Sequence, residues 1–257
     1  MARRLWKREE FILALNLYLK IPFGKMHSRN PEIQKLARLI GRTENSVALR
    51  LVNFAACDPE LQARGIKGMW AGREQCMPYW EEFENNKEEL LFESEQILAS
   101  LQHKTIEAKY RKIIGDVANL QGEEKVREIK TRVNQDVFRQ MLLGIYDNKC
   151  ALTGIEQSDL LLASHIIPWK DNEKERLNPR NGICLSALYD RAFDKGLISF
   201  DNKYRVILSV RLKEYSTRDY YHTYFGSLES KALSVPFVEY SPDLRFLEYH
   251  RDVILQR

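Results

Sequence analysis

The sequence predicts an α+β chain: an all-helical N-terminal domain with a helix-turn-helix pattern, a helical connector, and a C-terminal domain of two strands followed by a helix. Three observations predict it. Helical apolar spacing with capping signals recurs over residues 6–54. A charged, helix-favouring tract runs over residues 79–144. Short apolar runs at 160–165 and 183–185 flank a polar loop and precede a glycine-ended helix at 187–196. The expected domains are residues 1–80, 81–140 and 141–257.

A chain of 257 residues, 44% hydrophobic and 30% charged, is long enough for two cores. No run approaches eighteen apolar residues, and the first ten lack the apolar stretch of a signal peptide, so no membrane contact and a cytoplasmic location are expected. Cys57, Cys76, Cys150 and Cys184 form no Cys-x-x-Cys pair, so neither a disulfide framework nor structural zinc is expected. The net charge of +4 decides nothing by itself, but residues 1–57 hold eleven Lys or Arg against four Asp or Glu. Phosphate contacts are therefore sought at that end.

Phe11, Ile12, Leu15, Tyr18 and Leu19 share one face of a first amphipathic helix, ended by Pro22 and Gly24. Asn30 caps a second helix with Pro31 at its first position, and Gly41 closes it. Thr43 caps a third, whose Val47, Leu51 and Val52 are apolar. The spacing Ala37, Gly41, Val47 fits a helix-turn-helix that offers Arg42, Thr43, Asn45, Ser46 and Arg50 outward as candidate DNA contacts. A plain helical core fits the same spacing. Residues 58–72 read as an irregular segment with Trp70 in the core, a base-stacking platform being the weaker alternative, and the connector meets few breakers beyond Gly115 and Gly122.

The chemistry gathers further on. A strand ends at His165, a polar loop leads to the Asn181-Gly182 turn, a second short strand follows, and then a helix carries Asp190 and Asp194 four residues apart on one face. A buried histidine with a satisfied ring is the plainer account of His165 alone, but its neighbours assemble a reaction. A neutral imidazole accepts a proton from attacking water, and a helical carboxylate holds a hard divalent cation beside a phosphate. An asparagine amide ties the loop so that the imidazole keeps its orientation.

Residues 150–201, with Cys150-Ala151-Leu152-Thr153-Gly154, Ala163-Ser164-His165-Ile166-Ile167-Pro168-Trp169, Asn178-Pro179-Arg180-Asn181-Gly182 and Asp190-Arg191-Ala192-Phe193-Asp194-Lys195-Gly196, resemble the HNH endonuclease domain of prokaryotic restriction enzymes, a ββα-metal fold. The resemblance implies that His165 is the general base, Asn181 the structural asparagine and Asp190 the metal ligand of the third motif position, where the family carries His or Asn. Many members have an acidic ligand where this chain has Ser164, and Asp194, one turn on from Asp190, is the candidate to fill that place. The oxygen donors favour Mg²⁺ first and Mn²⁺ second.

Residues around Ile40-Gly41-Arg42-Thr43-Glu44-Asn45-Ser46-Val47 also look like the helical domain that precedes HNH modules in some restriction-type proteins. There the extra domain chooses the DNA, sometimes by sensing a modified base. The expected activity is thus metal-dependent cleavage of double-stranded DNA by a restriction-type enzyme, with a methylated base as a candidate requirement and a homodimer making double-strand cuts. The alternative is a catalytically silent DNA-binding regulator on an HNH-like scaffold. Beyond residue 201, a hairpin turns at Asn202-Lys203, and the tail reads as a strand and a proline-started helix, with His250 exposed or packing near its end.

Overall fold

Helix α1 (Arg8–Lys20) buries every residue from Glu10 to Tyr18, because Leu13, Ala14, Asn16 and Leu17 are enclosed along with the face that periodicity marks. An apolar helix covered all round is a central one rather than an amphipathic surface helix. It packs against α2 (Pro31–Ile40), α3 (Glu44–Ala55), α5 (Arg73–Phe83) and α6 (Lys87–Leu101), with the short α4 (Pro59–Ala63) preceding α5. The computed structural model describes residues 4–114 and 120–256, so Gly115 lies outside the described residues. Their contacts form two compact units, Met1–Val137 and Phe138–Arg257.

The α2–α3 hairpin follows from local chemistry. The Asn30 side chain accepts from the Glu32 amide, Pro31 begins α2, Gly41 ends it with φ 64°, and the Thr43 hydroxyl accepts from the Ser46 amide at the start of α3. Two residues expected to point outward do not. Arg50 is 7% exposed, its guanidinium over the rings of Trp6 (4.7 Å) and Phe11 (4.6 Å) and bonded to Gln75 Oε1 at 3.1 Å. Arg42 lies over Trp6 at 4.4 Å and donates to both oxygens of Glu10 (3.0 and 2.7 Å), which Arg4 also pairs. Glu10 and Phe11 of α1, Trp6 before it and Gln75 of α5 supply these partners, and hairpin spacing alone does not reveal them. Arg50→Ala should therefore destabilise the N-terminal unit by about 2–4 kcal/mol, read as a lower denaturant midpoint. An unchanged midpoint would show that the ring contacts contribute nothing.

Residues of the charged tract form α6, the short α7 (Ile106–Lys109) and α8 (Arg111–Ile114), and the long α9 (Gly122–Ile145). Buried Glu95 of α6 ties α7, Tyr110 at its end and α1 together. It accepts from Lys20 (2.8 Å), Lys109 (2.6 Å) and the Tyr110 hydroxyl (2.7 Å), and the two ammonium charges hold its carboxyl down at about 2 against the opposing cost of burial. Trp70 departs from expectation, being exposed rather than core.

The second unit contains β1 (Leu161–His165) and β2 (Gly182–Ser186), antiparallel with His165 opposite Gly182 and Leu161 opposite Ser186. Helix α10 (Ala187–Asp194) follows β2 directly and packs on both strands. A separate hairpin, β3 (Ile198–Phe200) and β4 (Val206–Leu208), comes next, then α11 (Val210–Lys213), α12 (Asp219–Tyr224) and α13 (Leu244–Tyr249). The tail differs from its expected form. Residues 238–240 make a 3₁₀ turn rather than a strand, and Asp243, not Pro242, caps α13 through the Arg245 amide. Cys57, Cys76, Cys150 and Cys184 are buried free thiols. No helix among the described residues is long and apolar enough to cross a membrane.

Candidate active site

His165 closes β1, and its ring is held from three directions. Phe138 stacks on it at 4.0 Å, Trp169 meets it edge-on at 5.3 Å, and Nε2 lies 2.9 Å from the carbonyl oxygen of Arg176. A carbonyl only accepts, so Nε2 carries the hydrogen and the neutral ring keeps its lone pair on Nδ1. Burial lowers the pKa to about 4, outweighing the Arg176 carbonyl bond that favours the cation. The imidazole is therefore an unprotonated acceptor at neutral pH. Gly182, opposite it, leaves the room Phe138 needs: a Cβ there would fall 2.6 Å from the Phe138 ring and 2.5 Å from Leu142.

Asn181 is buried at the end of the loop between β1 and β2 and holds both sides of it. Its Oδ1 accepts from the Ile167 amide (2.8 Å), and its Nδ2 donates to the carbonyls of Ile167 (3.3 Å) and Glu175 (3.1 Å). Arg176 serves the same loop, donating through Nε to the Trp169 carbonyl at 2.6 Å with its guanidinium 5.3 Å from that ring. An amide that satisfies three buried backbone groups fixes the path of residues 166–181, and with it the carbonyl that orients His165.

Helix α10 brings its carboxylates to the same place. His165, Ser164, Asp190, Asp194, Arg191 and Lys195 line one cavity of about 380 Å³. The Ser164 hydroxyl donates to Asp190 Oδ1 at 2.6 Å, so the serine that stands where an acid was sought steers the carboxylate. Burial, and then the neighbouring Asp190 charge, raise the pKa of Asp194. The donors are hard oxygens crowded with like charge, which suits a small divalent cation. Among the described residues no three His, Cys, Asp or Glu side chains gather as a ligand set. A cation on Asp190 and Asp194 would accordingly keep waters or phosphate oxygens as its other ligands, as Mg²⁺ commonly does.

His250, expected to be exposed or packing, is packed, and the sequence does not disclose its partners. It is 1% exposed, stacks on Phe193 at 3.8 Å, donates through Nε2 to the Phe193 carbonyl (3.1 Å), and accepts through Nδ1 from the Ser199 hydroxyl (2.9 Å). It braces the end of α10 from the far end of the chain, and only the tertiary fold brings it there. Burial lowers its pKa, like that of His165, to about 4. Both folded values lie below the unfolded value near 6.5, so the unfolded chain binds more protons between them and stability falls as pH drops through that window. Melting should be lower at pH 5 than at pH 7 by about 2 kcal/mol per imidazole, and His250→Gln should reduce the difference. Equal pH sensitivity in the variant would count against the brace.

The candidate DNA contacts of the first unit divide. Arg42 and Arg50 are engaged in its core, whereas Thr43 and Asn45 are exposed and Ser46 is partly so.

With this geometry in place, comparison with known families is informative. Residues 150–201 match the HNH endonuclease family, a stretch that runs from Cys150 through both strands and α10 into β3 and includes His165, Asn181, Asp190 and Asp194. The matched residues, about a fifth of the chain, lie within the second unit and are similar to that family. No match to the chain was found among curated proteins.

Proposed function

We propose that the protein is a metal-dependent endonuclease of restriction type that hydrolyses phosphodiester bonds in duplex DNA. The observation that carries this reading is the neutral imidazole of His165, anchored through Nε2 and sharing a cavity with Asp190 and Asp194. His165 Nδ1 takes a proton from water as the water oxygen attacks phosphorus, and the bond to the 3′ oxygen breaks; that oxygen takes a proton from solvent, leaving a 5′ phosphate and a 3′ hydroxyl. Asp190, with Asp194 and the Ser164 hydroxyl beside it, would hold Mg²⁺ or Mn²⁺, whose charge when bound offsets that developing on the phosphate and the leaving oxygen. Arg191 and Lys195, at the same cavity, suit neighbouring phosphates. Asn181 keeps the loop, and so the imidazole, in register.

The first unit is assigned to choosing the DNA through the exposed Thr43 and Asn45 and the partly exposed Ser46, and two copies are assigned to a double-strand cut. Incubation with plasmids from methylating and non-methylating hosts tests the restriction reading. Linear products confined to one of the two would support dependence on a modified base, and indiscriminate degradation of both would remove it. Ser164, in the place of an acidic ligand, favours a second reading, a DNA-binding protein that does not cut. Binding without cleavage of any plasmid would select it.

A further inference from the structure

We infer that the loop over residues 64–72, together with the outer face of α3, forms a DNA surface on which Trp70 stacks an unpaired nucleobase. The inference rests on the DNA-directed reading above and extends it to a residue and a ligand that reading does not include. Trp70 is 58% exposed and its neighbour Met69 is 42% exposed. Exposed tryptophans cost free energy, yet this one sits on a built support. The Arg73 guanidinium lies 5.0 Å from the indole and is itself anchored by Nε to the Ala56 carbonyl at 3.0 Å. Asn53, buried in α3, donates to the carbonyls of Met69 (2.9 Å) and Ala71 (3.3 Å), on either side of Trp70. Gly68 has φ 60°, and a Cβ there would lie 2.5 Å from the Ala56 amide nitrogen, so the loop is pressed against the end of α3 as only glycine allows.

The surface continues along the helix. The Met69 amide donates to the Val52 carbonyl at 3.1 Å, and Val52, Leu49 and Asn45 fall on one face of α3 at helical spacing, with Leu49 37% exposed. An apolar and polar stripe therefore leads from the candidate DNA contact Asn45 to Trp70. Its charge identifies the occupant: residues 64–73 contain Arg64, Lys67 and Arg73 and no Asp or Glu. Arg73 beside the indole, with Arg64 and Lys67 exposed earlier in the same loop, matches phosphates beside a base. A base inside a duplex hides both faces, so the ligand is a base out of the stack, in a single strand, at an end or extruded.

The test uses the full chain carrying His165→Ala, so that DNA is bound and not consumed, and fluorescence anisotropy of a labelled single-stranded oligonucleotide and of its blunt duplex. Trp70→Ala should weaken single-strand binding roughly 5- to 100-fold, and more than duplex binding, while Trp70→Phe retains most of the affinity. Arg64→Gln with Lys67→Gln should weaken both and flatten the salt dependence. An unchanged single-strand affinity in Trp70→Ala overturns the inference, as does an equal loss on both DNAs without rescue by phenylalanine. A Trp70→Ala change in the sedimentation of the DNA-free chain overturns it in favour of a protein interface. If the parent chain binds neither DNA, the DNA-directed reading falls with it; if both DNAs are bound as tightly with Trp70→Ala as without it, only this inference falls.

Discussion

Replacing His165 with alanine is expected to reduce single-turnover DNA cleavage by about 10³-fold while leaving DNA affinity within a few fold. The size follows from the role proposed for the ring. Positioned proton transfer contributes on the order of 10²–10⁴ to rate, and this imidazole is prepared for it twice: burial keeps it unprotonated, and the Arg176 carbonyl selects the tautomer with Nδ1 as acceptor. Nothing in that role involves holding DNA, so the loss belongs in the chemical step. A variant that cut at the parent rate would reduce His165 to a core histidine packed on Phe138.

Asp190→Ala should be the second severe lesion, with cleavage falling by about 10³-fold or more at any Mg²⁺ concentration and metal-free DNA affinity unchanged or slightly raised. The slight rise is expected because a negative charge beside the phosphate path is removed. Asp190→Asn separates the charge from the contact, since an amide oxygen still accepts from the Ser164 hydroxyl. If the carboxylate charge is what matters, Asn should be nearly as inactive as Ala. Near-parent activity in Asp190→Asn would show that the Ser164 bond, and not cation binding, is the reason for the residue. Asp194→Asn should be milder, because Asp194 is the supporting donor.

What the sequence could disclose was decided by how local each signal is. The caps Asn30, Pro31, Gly41 and Thr43 act on their own helix ends within a few residues, and α2 and α3 begin and end at them. The order of β1, a polar loop, β2 and α10 is legible for the same reason, although the turn falls on Pro179–Asn181 and Gly182 already belongs to β2. Arg50 and Arg42 are turned inward because their partners, Phe11 and Glu10 of α1 and Trp6 just before it, belong to a separate segment whose burial from Glu10 to Tyr18 a one-faced apolar pattern understates. Trp70 is expected in the core, yet Asn53 and Gly68 fix its loop and the indole faces solvent. His250 is 57 residues from the carbonyl it meets, and no spacing rule spans that distance. The sequence reading also located the Ser164 departure without its consequence. Only the folded strand and helix show that the hydroxyl reaches Asp190.

The most direct measurement of the central claim is cleavage of supercoiled plasmid by the parent chain in Mg²⁺ and in excess chelator, with the ends of the products identified. The account predicts nicked or linear DNA bearing 5′ phosphates and 3′ hydroxyls in Mg²⁺ and intact plasmid in chelator. Cleavage that persists in chelator, or intact plasmid in Mg²⁺ and Mn²⁺ although the DNA is bound, would contradict it.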